Sequence, residues 1–440
     1  MVSDTLQGHC LMLARLKRSR RGIMVLSLKG CEALAGAAMT ILLARIMGPS
    51  QFGFFAFGLA TTTLLAIPIK NGASTLITKH VAIAHEAAGL HQAGPMLAAG
   101  IRLSLLYAAA VLAGLWGARV IGIENPFVAS VALVGLALPF MCLTGLWEGV
   151  LRGSFQPSAA IMVGTVLVPL ITMGLAAALG DTLASQGWQI AAGLYVGTVA
   201  AVCLLGALWA RPTLKRLFPV SPENRMSSAV WIGHAAPFAI VTGLLIFNRQ
   251  IDVILLGTLK SEEAAGIYRI AAQAAILTTF GSQAIVHLYA PYLATTTADS
   301  APRLLSRYLQ KSVVFSIAFG TAVLLFLFLF GELIIRNLAG PEYLDGYPVM
   351  LILCSANLLS AANGALVQAL YMQGHQSKAA WIYAIFGAYT VAANATLIPI
   401  FGILGAAIAS ASAIILWSFA LRVLACRTLC LSFFRLAPKF

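Results

Sequence analysis

The chain has 440 residues, of which 60% are hydrophobic and 10% are charged, and its mean hydropathy is +0.91. A water-soluble protein would carry about 25% charged residues, so this composition excludes a soluble globular fold and indicates a membrane protein with many spans. The net charge of +14 does not indicate nucleic-acid binding, because the basic residues lie mainly in short segments between apolar runs, where membrane topology places them.

Twelve apolar runs are long enough to cross a bilayer as helices, which takes about 20 residues. They lie at roughly 23–46, 52–70, 96–119, 127–150, 158–179, 188–210, 231–256, 265–290, 312–336, 346–371, 379–398 and 402–424. The first run follows a basic cluster, but its length and the lack of a cleavage site indicate a retained helix rather than a signal peptide. The segment 71–91 is too polar to span, and we expect it to continue the second helix or to lie on the surface.

The distribution of Lys and Arg predicts how these spans are oriented. With both termini inside, 21 of the 28 Lys and Arg residues lie on the cytoplasmic side and six lie at the outer side. Cytoplasmic loops carry an excess of Lys and Arg in membrane proteins. The distribution therefore predicts twelve spans in the inner (plasma) membrane with both termini in the cytoplasm.

The second half of the chain repeats features of the first. Gly53 in "FGFFAF" corresponds to Gly266 in "AGIYRI", and Gly153 in "VLRGSFQPSAA" corresponds to Gly374 in "LYMQGHQSKAA". We therefore expect two six-helix lobes in the same orientation, related by a pseudo-two-fold axis along the membrane normal, with a site between them. The expected regions are a basic cytoplasmic N-terminus at 1–21, a first lobe at 22–210, a cytoplasmic linker at 211–230, a second lobe at 231–425 and a basic cytoplasmic tail at 426–440.

Charged residues inside the predicted spans are candidates for function, because a charge near the middle of the membrane is costly unless it is paired or hydrated. Lys29 and Glu32 lie three residues apart in the first helix, and Arg249 and Asp252 repeat this spacing in the seventh. Side chains at this spacing share one helix face and can pair. We expect each lobe to direct a buried ion pair toward the central cleft. The alternative is that each pair only braces its own lobe.

Three stretches resemble sequences of Wzx-type polysaccharide flippases, which belong to the multidrug/oligosaccharidyl-lipid/polysaccharide (MOP) exporter superfamily. They are "LLARIMGPSQFGFFAFGLATTTLL", "DVILLGTLKSEEAAGIYRIAAQ" and "NATLIPIFGILGAAIASA". The resemblance implies an all-α fold, with two six-helix lobes in a MATE-like V that opens alternately to either side. It also implies a cargo of oligosaccharide on a lipid carrier, usually undecaprenyl diphosphate. Asp252 matches an acid common at this point in the family, where it could orient Arg249 or couple transport to an H⁺ or Na⁺ gradient.

The expected substrate-binding residues are the charged groups of the cleft. Cationic partners suit the diphosphate, and a guanidinium can bind phosphate oxygens in a two-pronged manner. Lys70, which follows Pro68 at the end of the second helix, faces either the cytoplasmic surface or the cleft. Arg269, early in the eighth helix, is either interfacial or functional. The full set is Lys29, Glu32, Arg249, Asp252, Lys70 and Arg269.

Other functions fit the sequence less well. A cation-coupled multidrug antiporter of the same superfamily would need an acidic or aromatic cavity, whereas the cleft residues lean basic. A polysaccharide polymerase or glycosyltransferase usually carries a long outer loop, whereas no outer connection between the predicted spans exceeds about 20 residues. A peptidoglycan-precursor flippase often has two extra helices, for which this chain has no room. We expect no catalytic residues, no metal site and no cofactor beyond the possible ion gradient. The expected partners are the lipid-linked oligosaccharide, membrane lipids, and polysaccharide polymerase and chain-length proteins, but no nucleic acid.

Overall fold

A computed structural model describes residues 2–86, 93–121, 125–217, 227–295 and 302–429. These residues form helices and no strands. A helix satisfies its own backbone hydrogen bonds, which a lipid-exposed segment must do. The helices are α1 (Val2–Ile67), α2 (Ser74–Glu86), α3 (Gly94–Val120), α4 (Pro126–Gly135), α5 (Leu138–Gly153), α6 (Pro157–Ile161), α7 (Leu167–Ala178), α8 (Gly180–Gln186), α9 (Trp188–Leu217), α10 (Ser228–Leu259), α11 (Glu262–Thr295), α12 (Pro302–Ile334), α13 (Gly346–Ala361), α14 (Gly364–Met372) and α15 (Gln376–Thr428).

The two longest helices are each interrupted where the sequence predicts a boundary between spans. The backbone of α1 leaves the helical conformation at Gly48, where φ is 73°, immediately before Pro49. The backbone of α15 does so at Gly402, where φ is 58°, three residues after Pro399. Glycine adopts positive φ without the steric cost that a side chain imposes, and proline removes a helical hydrogen bond. Both breaks separate runs that were predicted as different spans.

Length and hydropathy identify fewer spans than the sequence predicts. Within the described ranges, seven helices are long and apolar enough to cross a membrane, and two bent helix pairs raise this number to nine. Two of the seven, 27–84 and 376–428, contain 58 and 53 residues, well beyond the roughly 20 that one crossing needs. An all-helical protein with many spans is therefore confirmed, and the count of twelve stays a prediction.

The repeat predicted from the sequence is visible in the bent helices. The pair α4–α5 bends by 41° and the pair α13–α14 bends by 46°. Each pair is followed by a short turn with one residue at positive φ, Phe155 at 58° in the first half and Gly374 at 80° in the second, and the aligned Gly153 is the last residue of α5. Residues up to Leu217 are called the first half below, and residues from Ser228 the second half. The halves therefore share one sequence of bends and turns.

The two halves cross backbone to backbone next to the break in α1. A Cβ atom on Gly53 would overlap the carbonyl oxygen of Glu262, and a Cβ atom on Gly266 would overlap the carbonyl oxygen of Pro49. Gly53 and Gly266 are equivalent positions of the repeat, 213 residues apart. Pro49 and Glu262 are also 213 residues apart, so they too are equivalent positions. Such a reciprocal contact arises where a two-fold axis passes between equivalent segments. The pseudo-two-fold axis therefore passes through this crossing, which requires glycine on both sides.

The halves also meet around the start of α10. The Trp231 side chain is only 2% exposed, and its indole N–H donates to the carbonyl oxygen of Met96 on α3 at 3.1 Å. On the same helix pair, Arg102 donates to the Ser228 hydroxyl at 3.0 Å. These bonds join α3 of the first half to α10 of the second half, at the end that the sequence assigns to the cytoplasm.

Several predicted boundaries differ from the observed helices. The backbone from residue 2 to 21, predicted as a basic terminus, is helical and continuous with α1. Residues 71–86 continue α1 through a π-helical turn, Pro68–Ala73, into α2, which matches one of the two placements expected for the segment 71–91, and residues 87–91 lie outside the described residues. The predicted linker loses its first residues to α9, which extends to Leu217. Residues 218–226 of that linker and 430–440 of the predicted tail lie outside the described residues.

Candidate functional site

A polar cavity of about 90 Å³ lies within the second half, large enough for several water molecules. Helices α10, α11, α13 and α15 contribute to its wall. The lining residues are Asn248, Arg249, Asp252, Tyr268, Ala272, Ile276, Thr279, Leu353, Asn357, Thr390, Ser410, Ile414 and Trp417. Two of the predicted site residues, Arg249 and Asp252, therefore face one cavity.

The carboxylate of Asp252 is buried and hydrogen-bonded to two other helices. Its Oδ2 accepts from the Tyr268 hydroxyl on α11 at 2.8 Å, and its Oδ1 accepts from the Asn394 amide on α15 at 3.0 Å. A buried charge is tolerated when hydrogen bonds of this kind replace its hydration. Ser410 on α15 lines the same cavity. The site is thus assembled from residues far apart in sequence.

Two oxygen atoms beside this carboxylate have no hydrogen-bond partner within the described residues. They are Oδ1 of Asn394 and Oγ of Ser410, and both are buried. A buried polar atom without a partner is costly, so such atoms mark places where a ligand or ion completes the structure. Carboxylate, amide and hydroxyl oxygens are ligands that suit hard cations.

The predicted ion pair between Arg249 and Asp252 is wrong. The described residues contain no ion pair between them, because Tyr268 and Asn394 occupy the carboxylate oxygens instead. Arg249 lies on the same cavity wall and remains exposed. Arg249 is therefore an exposed cation on the wall of this cavity.

Arg269 lies beside this site but outside the cavity lining. Its guanidinium is half-buried and donates to the side-chain oxygen of Gln250 at 2.9 Å. Gln250 follows Arg249 directly on α10, so Arg269 is bonded to the helix that carries Arg249. Arg269 also interacts electrostatically with Tyr195 on α9, which places it toward the first half.

The predicted pair in α1 is formed. The Lys29 ammonium lies 2.6 Å from the Glu32 carboxylate, and both side chains are half-buried. Leu43 lies nearly four helical turns after Lys29, and Met39 lies nearly two turns after Glu32, so each pair shares one side of the helix. Leu43 and Met39 are both buried in the core. Lys29 and Glu32 therefore share a face of α1 with residues of the core.

Lys70 lies apart from the other predicted residues. It belongs to the π-helical turn Pro68–Ala73 and is half-buried. A Cβ atom on Gly145 of α5 would approach the Lys70 backbone, so this turn is packed closely against the first half. The structure thus groups Arg249, Asp252 and Arg269 in the second half, and leaves Lys29, Glu32 and Lys70 in the first.

Comparison with known proteins places the chain in a family. A family model described as polysaccharide biosynthesis protein matches residues 19–297, which is more than half of the chain. The chain belongs to the polysaccharide biosynthesis protein family. A curated relative in Haloferax volcanii, the probable low-salt glycan biosynthesis flippase Agl15, is 22% identical over 375 residues, which are 84% of this chain and 75% of the relative. The resemblance to polysaccharide flippases is confirmed by these matches.

Solved structures of transporters share the fold of this polysaccharide biosynthesis family protein. The inward-facing conformation of a multidrug resistance MATE family transporter of the MOP superfamily matches with a TM-score of 0.70 and 14% identity, covering 93% of this chain and 98% of that chain. The lipid II flippase MurJ in an inward closed conformation matches with a TM-score of 0.70 and 10% identity, covering 91% and 87%. The predicted MATE-like fold is therefore confirmed.

The residues that the sequence reasoning missed are Tyr268, Asn394 and Ser410. Two of the stretches that resemble the flippases begin with Asp252 and Asn394. The first of these stretches also contains Tyr268, and the second contains Ser410. In this polysaccharide biosynthesis family protein, the stretches therefore converge on one hydrogen-bonded group. That coincidence was the available signal. Within the described residues, no group of three His, Cys, Asp or Glu side chains could hold a metal ion.

Proposed function

We propose that this chain is a flippase that moves a lipid-linked oligosaccharide across the membrane for polysaccharide biosynthesis. The observation that carries the proposal is the match of the polysaccharide biosynthesis family model to most of the first half and part of the second. The Haloferax relative named as a probable glycan biosynthesis flippase supports the same activity. Transport by alternating access agrees with a fold that is divided into two similar halves.

The cargo we propose is an oligosaccharide on a diphosphate lipid carrier such as undecaprenyl diphosphate. Support comes from Arg249 and Arg269, because guanidinium groups pair with phosphate oxygens more effectively than other side chains do. Arg249 is exposed on the cavity wall and has no acidic partner among the described residues. An unpaired cation inside a membrane protein is costly unless it serves a ligand.

We further propose that transport is coupled to a cation gradient, H⁺ or Na⁺, at Asp252. Support comes from the two partnerless oxygens of Asn394 and Ser410 beside the carboxylate, which suit a hard cation. The test is transport in proteoliposomes under imposed Na⁺ and H⁺ gradients. The wild type should respond to one gradient, and Asp252→Asn should not respond. Equal transport by both proteins in every gradient would contradict the coupling.

The second candidate function is a cation-coupled multidrug antiporter, which the MATE structural neighbour raises. The charges of the site argue against it, since Arg249 lines the cavity and the oxygens of its carboxylate, Asp252, accept from Tyr268 and Asn394. Such a site favours anions over organic cations. We propose that the protein acts as a transporter without changing covalent bonds, in keeping with the transporters that share its fold.

The proposed location is the inner membrane with both termini in the cytoplasm, beside polymerase and chain-length proteins. Deleting the gene should cause a lipid-linked oligosaccharide to accumulate on the cytoplasmic leaflet, because synthesis continues while transfer stops. Purified protein in proteoliposomes should move that lipid between leaflets without altering it. Normal polysaccharide export in the deletion strain, or glycosyl transfer by the pure protein, would contradict the proposed function.

A further inference from the structure

A second cavity, separate from the polar one, lies where the two halves meet. Its volume is about 610 Å³, within the range of sites that bind small organic ligands. The end of α1 with the adjoining π-helical turn, α3 and the start of α10 form its wall. The lining residues are Ile67, Pro68, Ile69, Leu103, Leu106, Tyr107, Trp231, Ile232, Ala235, Ala236, Ala239 and Ile240. This cavity is called the seam groove below.

The seam groove offers an occupant almost no polar partner. Its two polar side-chain groups are already bonded inside the protein: the Tyr107 hydroxyl donates to the carbonyl oxygen of Leu65 at 2.7 Å, and the Trp231 indole donates to Met96 at 3.1 Å. A ligand with hydrogen-bonding groups would lose its hydration there without compensation. The groove therefore suits a hydrocarbon chain.

The seam groove is open to the bilayer and has the length of one leaflet. Leu106 and Ile240 on its rim are each 60% exposed, so a chain can enter sideways from the membrane. The wall on α10 runs from Trp231 to Ile240. At 1.5 Å per residue this is about 14 Å, close to half of a hydrocarbon core of about 30 Å.

Two basic residues adjoin the groove, and Arg102 lies at the end that the sequence assigns to the cytoplasm, where it donates to Ser228. Arg102 directly precedes Leu103, and Lys70 directly follows Ile69. An apolar groove bordered by cations matches a lipid with a hydrocarbon tail and an anionic headgroup. This match of charge and apolarity selects a phosphate-bearing lipid over a neutral one.

We propose that the seam groove holds the isoprenoid chain of the lipid carrier while its phosphates lie near Arg102. The proposal rests on the proposed flippase function, which supplies the carrier. It assigns the tail and the headgroup to different parts of the molecule. Because both halves contribute to the wall, movement of the halves changes the shape of the groove during transport.

The test uses the full chain reconstituted in lipid nanodiscs and a polyprenyl phosphate of about three isoprene units, as long as the groove, with a photoreactive group on its terminal isoprene unit. After irradiation, proteolysis and mass spectrometry should locate the label on the segments 103–107 and 231–240. Excess unlabelled polyprenyl diphosphate should remove the label, and phosphatidylglycerol at the same concentration should not. Label elsewhere, or equal competition by phosphatidylglycerol, would overturn the proposal, since the groove would then hold ordinary lipid or nothing.

Matched variants test the groove itself. Leu106→Trp fills it and should reduce labelling about tenfold or more, because extra volume in an apolar site is strongly unfavourable. Leu105→Trp is the control, since Leu105 is 47% exposed on the same helix but lies outside the lining. Ile240→Trp fills the opposite wall and serves if Leu106→Trp folds poorly. Unchanged labelling in a well-folded filled variant would overturn the proposal.

Failure of the seam-groove proposal can be distinguished from failure of the proposed flippase function. If a filled variant loses the label but exports polysaccharide normally, the groove has no part in transport and the proposal fails while the flippase function stands. If the deletion strain exports normally, the flippase function fails, and with it the identity of the natural occupant. If labelling and export fall together in the filled variants and persist in Leu105→Trp, both are supported.

Discussion

The two carboxylate oxygens of Asp252 are bonded to two different helices. Tyr268 on α11 donates to one oxygen and Asn394 on α15 donates to the other. Hydrogen bonds to a charged group contribute about 1.5–3 kcal/mol each. This single side chain on α10 therefore links three helices of the second half while it lines the polar cavity.

Removing one of these donors should lower stability. Tyr268→Phe leaves a carboxylate oxygen without its donor in a buried position, and we expect a loss of about 1–3 kcal/mol in the free energy of unfolding. Thermal unfolding of the purified protein in detergent measures the effect. Tyr347→Phe is the control, because Tyr347 donates to the Phe328 carbonyl at a more exposed position. Equal shifts of the unfolding temperature in both variants would show that the hydrogen bond to Asp252 contributes no more to stability than the exposed one does.

Arg249 should matter for transport more than for stability, because Asp252 has other partners. Arg249→Ala should unfold at nearly the wild-type temperature. Its affinity for the cargo should fall roughly tenfold to 150-fold, because one charge-assisted hydrogen bond contributes about 1.5–3 kcal/mol to binding. Arg249→Lys keeps the charge but not the two-pronged geometry, and should be intermediate. Expression and polysaccharide export, measured together, decide this. Full export by well-expressed Arg249→Ala would exclude a role for Arg249 in binding phosphate.

At the scale of helices, the crossing of α1 and α11 depends on the absence of two side chains. Gly53→Ala or Gly266→Ala introduces a methyl group that overlaps a backbone carbonyl of the other half. The halves must then separate at this crossing. We expect a cysteine placed at Ser50 to react faster with a membrane-impermeant maleimide in these variants than in the parent, with the exposed Cys31 replaced.

A glycine with open space supplies the control for the crossing. A methyl group added to Gly197 on α9 would have no neighbouring atom within 4 Å, so Gly197→Ala should leave the labelling rate at Ser50 unchanged. If Gly53→Ala also leaves that rate unchanged, the crossing does not hold the halves together. If Gly197→Ala accelerates labelling equally, the effect comes from general loosening of the helices.

The helices and the repeat follow from the sequence more closely than the contacts of the site do. Long apolar runs and Gly-Pro breaks are local signals, so the interruptions at Gly48 and Gly402 fall where spans were separated. The prediction of an Arg249–Asp252 ion pair was wrong because the spacing of two residues on one helix shows only that their side chains can meet. Tyr268 and Asn394 reach the carboxylate from other helices, and spacing within α10 carries no information about them.

At the scale of the whole molecule, orientation follows from charge. The excess of Lys and Arg in segments assigned to the cytoplasm predicts that both termini lie there. A reporter protein fused after Lys439 should therefore be active in the cytoplasm and inactive outside it. A second fusion in the turn near Lys260 should give the opposite result. Periplasmic activity of the first fusion would contradict an even number of spans with the N-terminus inside.

The contacts between the halves have a consequence for how the protein responds to ionic strength. Between residues that the structure describes, the ion pairs are Lys29–Glu32, Glu148–Arg152 and Glu332–Arg336, and each lies within one helix or its direct continuation. The halves are joined instead by backbone packing and by bonds such as Trp231 to Met96. Mobile ions screen charge–charge attraction but barely affect contacts of this kind. Salt should thus leave the balance between open and closed states unchanged, and at a fixed Na⁺ concentration and pH any dependence of transport on ionic strength would measure the attraction between the protein and the charge of its cargo.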